Sequence, residues 1–391
     1  MIPRGFRLSA ASAGVKRPGR PDMGLLVCDG PAAAAGVFTR NRVAAAPVTV
    51  CRERLARGTA RAVLVNSGNA NACTGTRGLD DARALSARAA GLLGVGPDEV
   101  LPCSTGVIGL PLPVDRMAAA LPALVEGLGE DPEPFARPIM TTDTFPKVSA
   151  RTLSLGGREV RLLGIAKGAG MIRPDMATML AFLATDAPVG AGALRSALAR
   201  AADRTFNRIT VDGDTSTNDT ALVLASGRAG GSPLEEDPRA WDPFTGALED
   251  LCAELARLIV RDAEGGTKVV EVRVRGAATG EAAVTIARTI AESPLVKTAV
   301  HGEDPNWGRI AAALGRSGAY RGGPFSIAIG GVPVVRDGLG RGPGAEARAR
   351  ERMKLPEFEI LVDLDEGPGE AAVTTCDLSA EYVRINADYR S

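Results

Sequence analysis

Apolar and polar positions follow two rhythms along this chain, and they alternate. Ala62–Val65 is a short unbroken apolar run, which predicts a buried strand, and the segments Asp80–Leu93 and Arg116–Leu128 carry helical spacing. "VSARTLSLGGREVRLLGIAKG" predicts a hairpin turning at Gly156-Gly157, whose second arm delivers the chain to Lys167. The run Met179–Leu183 predicts a strand, Ala193–Ala202 a helix, Ala221–Leu224 a strand, and "AGGSPLEEDPRAW" a polar loop. In "TGALEDLCAELARLIVRDAEGG", Leu248, Leu251, Cys252, Leu255, Leu258 and Ile259 repeat at i, i+3, i+4, i+7, so one helix face is buried. Gly265-Gly266 stop that helix and put Glu264 at its C-terminal end, where the dipole disfavours a carboxylate. A solvated charge explains Glu264 on these grounds alone.

From about Arg275 the rhythm changes to one helix, "EAAVTIARTIAES", among strands "FSIAI", "VPVV", "FEILVDL", "AAVTTC" and "EYVRINA". The Gly/Pro/Arg-rich "RDGLGRGPGAEARARERMKLPEF" reads as a loop. Residues 1–274 are therefore expected to form a main α/β domain, and 275–391 a smaller α+β domain.

Composition narrows the chemistry. With 45% hydrophobic residues in 391, the chain can bury sizeable cores. Lysine plus arginine equals aspartate plus glutamate at 46 each, so no net field favours nucleic acid or an acidic membrane. The N-terminus lacks the apolar core of a signal peptide, and no stretch approaches the ~18 apolar residues of a membrane span. Cys28, Cys51, Cys73, Cys103, Cys252 and Cys376 are scattered without a CxxC pair, which predicts buried, reduced thiols in a cytoplasmic protein.

Three motifs invite function. Asp212-Gly213-Asp214-Thr215 has the DxDxT form of magnesium-dependent phosphatases, although a turn stitched by Asp and Thr side chains explains it too. "GIAKGAGM" lacks the glycine and lysine spacing of nucleotide loops. His301, in "HGEDPNWGRI", is the single histidine, so any Ser-His or Cys-His scheme would have to use it. One scheme needs no histidine. If the Ala177–Thr178 bond is cut, the new α-amine of Thr178 can take the proton from its own hydroxyl. "CSTGVIG" (Cys103–Gly109) then offers a hydroxyl and glycine N–H groups for an oxyanion.

Together, "VNSGNANACTG", "CSTGVIG", "TTDTFPK", "KGAGMIRPDMATML", "DTSTNDT" and "HGEDPNWGRI" resemble the ornithine acetyltransferase (glutamate N-acetyltransferase, ArgJ) family of arginine biosynthesis. The resemblance runs along essentially the whole chain. It implies a DmpA/ArgJ-like self-processing N-terminal-nucleophile α/β fold, with cleavage between Ala177 and Thr178 into an α chain (1–177) and a β chain (178–391) that stay together as α2β2. Thr178 is then the nucleophile, and Thr105 and Gly106 form the oxyanion hole. Thr144, Lys167, Thr178, Glu264, Asn386 and Ser391 line the substrate site. Lys167 suits an amino-acid carboxylate, and Glu264 suits an ammonium group. The implied reaction passes acetyl from N-acetylornithine to glutamate by a ping-pong route, without metal or bound cofactor. The resemblance leaves open whether acetyl-CoA is also a donor. Ala169 and Asp175 depart from the serine and asparagine more often expected there, which bears on cleavage rate. A related self-processing aminopeptidase or amidase, a magnesium-dependent phosphatase built on Asp212 and Asp214, and a non-catalytic binding protein are the alternatives.

Overall fold

The computed structural model describes residues 2–16, 19–173 and 179–388. The chain divides into two compact units, one running through Asn207 and resuming at Asp214–Ile259, the other formed by Arg208–Gly213 and the chain from Val260 onward. The boundary expected near Arg275 would cut a strand, Val269–Ala277, that pairs wholly within the second unit's sheet.

The first unit is a mixed sheet of β1 (Phe6–Ala11), β2 (Met23–Phe38), β3 (Thr59–Asn69), β4 (Val100–Val107), β5 (Lys147–Leu155), β6 (Arg158–Lys167), β7 (Leu180–Thr185) and β9 (Thr220–Ala225). Between the last two in sequence, β8 (Ile209–Thr210) belongs to the second sheet. The order is β4-β3-β2-β9-β7-β6-β5, with β1 added along β2. Helix Gly75–Leu93 connects the parallel pair β3 and β4, as a parallel crossover requires. Strands β7 and β9 are parallel neighbours, and every residue of each is buried. That two-sided burial explains why their sequences are unbroken apolar runs rather than alternating ones. The hairpin β5–β6 turns at Gly156-Gly157, both with positive φ.

Helix Pro238–Arg261 buries Leu248, Leu251, Cys252, Leu255 and Ile259, while Leu258 is only half-buried and Ala256 and Val260 take the inner positions. It begins earlier than its sequence suggests: Pro238, Arg239 and Trp241, assigned to a polar loop by composition, lie in its first turn. Asp237 precedes that turn and its carboxylate accepts from the Arg239 N–H. It also ends at Arg261, so Glu264 stands in the following turn.

The second unit has β10 (Val269–Ala277), β11 (Phe325–Ile329), β12 (Val332–Arg336), β13 (Leu339–Gly340), β14 (Glu357–Leu364) and β15 (Gly369–Cys376), in the order β13-β12-β11-β14-β10-β15-β8. Helix Gly280–Ala291 packs Ala283, Ile286, Ala287 and Ile290 into the core with Val272, Val274, Ile360 and Val373. Among the described residues, four helices stand beyond the single one expected, and two of them, Pro294–His301 and Trp307–Gly315, fall in segments to which periodicity assigned no element. "EYVRINA" is part of a helix, Ala380–Asp388, because the Ser379 hydroxyl caps it by accepting the Tyr382 N–H. The apolar-polar alternation there is incidental, since the helix buries none of its residues. The Gly/Pro/Arg-rich loop contains helix Pro343–Met353, with proline in the first turn and a thin stripe of Ala345, Ala349 and Met353 buried.

In the first unit, Phe182 of β7 meets Phe135 edge-on, with ring centroids 5.3 Å apart. Both rings are buried. Phe182→Ala should therefore lower stability by about 3–5 kcal/mol in urea unfolding. A loss below about 1 kcal/mol would mean that the site collapses around the truncation.

Candidate active site

The motif loops of the first unit meet at one end of its sheet. Parallel pairing of β3 and β4 sets Ser67 opposite Thr105 and Gly68 opposite Gly106. Gly106 has φ +130°, and a Cβ there would lie 2.4 Å from the Gly68 carbonyl carbon and 2.6 Å from the Asn69 nitrogen. No side chain fits, so only glycine lets the two main chains come this close. The β6–β7–β9 register places Lys167 opposite Leu180, and Leu180 opposite Thr220. Lys167 thus ends β6 beside the strand that begins just after the Ala177–Thr178 bond.

Side chains of the "DTSTNDT" motif tie these strand ends together. The Asn218 amide donates to the carbonyls of Ala70, at 2.6 Å, and Ser104, at 2.8 Å, and its oxygen accepts from the Thr217 hydroxyl at 2.6 Å. The Ser104 hydroxyl donates to Asn66 Oδ1 at 2.6 Å, and Asn66 Nδ2 donates to the Asn69 carbonyl. "VNSGNANACTG", "CSTGVIG" and "DTSTNDT" are thus one buried polar network.

A charged cluster surrounds Lys167. Asp143 and Lys147 form an ion pair of 2.8 Å with both side chains fully buried. Asp143 also accepts the N–H groups of Gly168, at 2.6 Å, and Thr141, at 2.9 Å. Burial alone would raise the Asp143 carboxyl, but the Lys167 and Lys147 ammonium groups and these hydrogen bonds outweigh it and bring it down to about 2. Lys167 Nζ lies 3.4 Å from Thr105 Oγ1. Thr144, next to Asp143, is exposed. A third lysine shares the field. Asp22 takes the N–H groups of Ala13, Val15 and Lys16, which fixes a loop whose Lys16 Nζ donates to the carbonyls of Pro138 and Met140. Burial pushes Lys16 down to about 8; Asp22 opposes that shift and Lys167 adds to it.

In the second unit, Glu264 and Asn386 meet: Asn386 Nδ2 donates to Glu264 Oε2 at 2.8 Å. Two anchors hold the turn that carries Glu264. Ser379 Oγ donates to the Gly265 carbonyl, and Asp377 accepts from the Thr267 and Lys268 N–H groups and the Thr267 hydroxyl. His301 Nδ1 lies 2.7 Å from Asp377 Oδ2, so the single imidazole is engaged by a structural carboxylate. Burial would raise Asp377; those N–H bonds and His301 hold it below its ordinary value instead.

Several sequence expectations need restating. Asp212 accepts from the Tyr382 hydroxyl, while Thr215 donates to the Arg173 carbonyl and bridges Ile172, so the DxDxT segment is a stitched turn. Five cysteines are buried, but Cys73 is exposed, in a loop where it has φ 57°. Ala177, Thr178 and Ser391, and the departure at Asp175, lie outside the described residues; Ala169 is buried. The residues that sequence reading missed are Asp143, Lys147, Lys16 and Asn218. Asp143 and Lys147 were visible only as an i, i+4 pair inside "TTDTFPK".

These features define a two-sheet α/β protein in which the motif loops of the first unit form one polar centre rather than separate turns. A sequence model of the ArgJ family matches residues 7–391. The arginine biosynthesis bifunctional protein ArgJ of Geobacter sulfurreducens is 51% identical over 390 residues, covering 99% of each chain. That of Thermus thermophilus is 50% identical, over 99% of this chain and 98% of its own. Among solved structures, the Bacillus halodurans ArgJ chain superposes with a TM-score of 0.51 at 44% identity, spanning 53% of this chain and 98% of its own. The chain belongs to the ArgJ family.

The Asp143 carboxyl makes a pH prediction. Its folded value, about 2, lies below the ordinary ~3.9, so its ionisation stabilises the fold above pH ~4 and ceases to do so as pH falls through about 2. Wild type should therefore lose about 2 kcal/mol relative to Asp143→Asn across that window, read from urea midpoints. A gap that stays constant with pH would place the carboxyl near its ordinary value.

Proposed function

We infer that this protein is a glutamate N-acetyltransferase of arginine biosynthesis, passing acetyl from N2-acetyl-L-ornithine to L-glutamate through an acetyl-threonine at Thr178. The carrying observation is its identity of about half with curated ArgJ proteins over 99% of both chains. The approach of Gly68 and Gly106, which fixes the main chain beside Thr105, supports it chemically.

Maturation begins when the Thr178 hydroxyl attacks the Ala177 carbonyl. The C–N bond breaks as the ester forms, which frees the Thr178 α-amine, and water then hydrolyses the ester to release the Ala177 carboxylate and the Thr178 hydroxyl. In turnover that amine takes the hydroxyl proton while Oγ bonds to the acetyl carbon. The Thr105 hydroxyl and the Gly106 N–H receive the negative oxygen. The C–N bond to ornithine breaks, and ornithine leaves as the amine after taking the proton. Glutamate's amine then attacks the acetyl ester, and the proton returns to Thr178. The family resemblance gives Lys167 to the substrate carboxylate and Glu264, which accepts from Asn386, to its ammonium group, with Thr144, Asn386 and Ser391 as the further lining residues it implies. The reaction calls on no metal or bound cofactor, and the cut chains work as a cytoplasmic α2β2 assembly. Acetyl-CoA as a second donor agrees with the word bifunctional in the relatives' names. Glutamate acetylation with acetyl-CoA alone tests that.

The purified protein should run as two fragments, the second beginning Thr-Met-Leu-Ala, and Thr178→Ala should stay whole and inactive. Supplied with N-acetylornithine and no glutamate, the β chain should gain one acetyl group. An intact chain that acetylates glutamate would sink the mechanism. The base makes a separate prediction. A free α-amine ordinarily titrates at ~7.7–8.0, so activity at limiting substrate should rise with pH to a plateau. Because His301 is engaged by Asp377, that rising limb should persist in His301→Ala. Its disappearance from a folded, cut variant would make imidazole the base.

A further inference from the structure

The hydroxyl assigned to the oxyanion has a polar chain behind it. Asp143 Oδ1 accepts from Lys147 Nζ at 2.8 Å and from the Gly168 N–H at 2.6 Å. It therefore grips the main chain immediately beyond Lys167. Lys167 Nζ then reaches Thr105 Oγ1 at 3.4 Å. An ammonium has only protons to offer, so the Thr105 oxygen is the acceptor in that contact and its own proton points elsewhere. A hydroxyl that accepts from a cation becomes a better donor in turn.

We propose that Asp143 is a positioning residue that acts through Lys167: it holds the ammonium where it polarises the Thr105 hydroxyl toward the oxygen that becomes negative during acyl transfer. This rests on the oxyanion role inferred for Thr105. Lys147 is the counter-charge that makes a buried carboxylate tenable at this point. The ion pair with Lys147 and the field of Lys167 keep Asp143 ionised throughout the neutral range. With Lys16 also acting on it, the carboxylate serves three amines, and the excess of positive charge suits a developing anion. Asp143 makes and breaks no bond; its contribution is the direction of one hydroxyl.

Single-turnover acetylation of the β chain tests this, with saturating N-acetylornithine and rates normalised to cleaved protein. Saturation removes any contribution of Lys167 to substrate affinity. Thr105→Val should slow acetylation ~10²-fold, the scale of a lost oxyanion donor, and Asp143→Asn and Lys167→Met each about tenfold. In the Thr105→Val background, Asp143→Asn should cost less than about twofold, because the hydroxyl through which it acts is gone. A structural role would give the same loss in both backgrounds. Full multiplication of the two losses, or an Asp143→Asn rate equal to wild type, overturns the proposal. Asp143→Asn leaves Lys147 charged and buried, so Asp143→Asn/Lys147→Met, which removes both charges, carries the same comparison if the single variant does not fold. A cut wild-type enzyme that never gains acetyl would overturn the acyl-enzyme reading itself, whereas an acetylated wild type with an unaffected Asp143→Asn overturns only this inference.

Discussion

Everything at the working end of the first sheet depends on where the Asn218 amide places its two hydrogen bonds. The Ala70 carbonyl, just past β3, and the Ser104 carbonyl, within β4, are both met by side-chain donors, and a buried carbonyl without a partner is costly. Asn218 supplies donors to Ala70 and Ser104 at once, from two residues before β9. One side chain thereby sets the spacing of three strand ends. The contact between Gly68 and Gly106 is affordable only because that spacing is already imposed, and it leaves Thr105 at the edge with its hydroxyl toward Lys167.

The second determinant is charge in a protein that carries none overall. The 46 cationic and 46 anionic side chains cancel, yet Lys16, Lys147 and Lys167 crowd around Asp143 within a buried region. Such a cluster is expensive, and the structure spends main-chain donors and carbonyls to hold it. Asp22 takes three N–H groups to fix the Lys16 loop, and Lys16 gives its protons to carbonyls of the segment leading to Asp143. The second unit uses the same device once more, with Asp377 fastening the turn beyond Glu264.

What the sequence made legible follows from what each signal is made of. The apolar runs of β7 and β9, the hairpin at Gly156-Gly157 and the stripe of Leu248 to Ile259 are periodicity signals, and burial enforces them. Helix Ala380–Asp388 was invisible because no burial supports it; a cap at Ser379 decides it, against an alternation that imitates a strand. Helix Pro343–Met353 was hidden because its buried stripe is mostly alanine amid arginines. The loops were recognisable as motifs, but motifs do not say what touches what. Asp143 meets Gly168 across 25 residues and Asn218 meets Ser104 across 114, distances over which no local pattern carries information.

The exposed thiol has a practical consequence. Cys28, Cys51, Cys103, Cys252 and Cys376 are buried, and burial raises Cys28, Cys103, Cys252 and Cys376 above the ordinary thiol range. Thiolate is the reactive form, so a maleimide meets one accessible cysteine in a folded wild-type chain. Cys73 follows directly on Asn71 and Ala72, in the loop whose Ala70 carbonyl is held by Asn218. A fluorophore or spin label attached there, with no cysteine removed, would sit a few residues from the knot and register its loosening as a change in mobility.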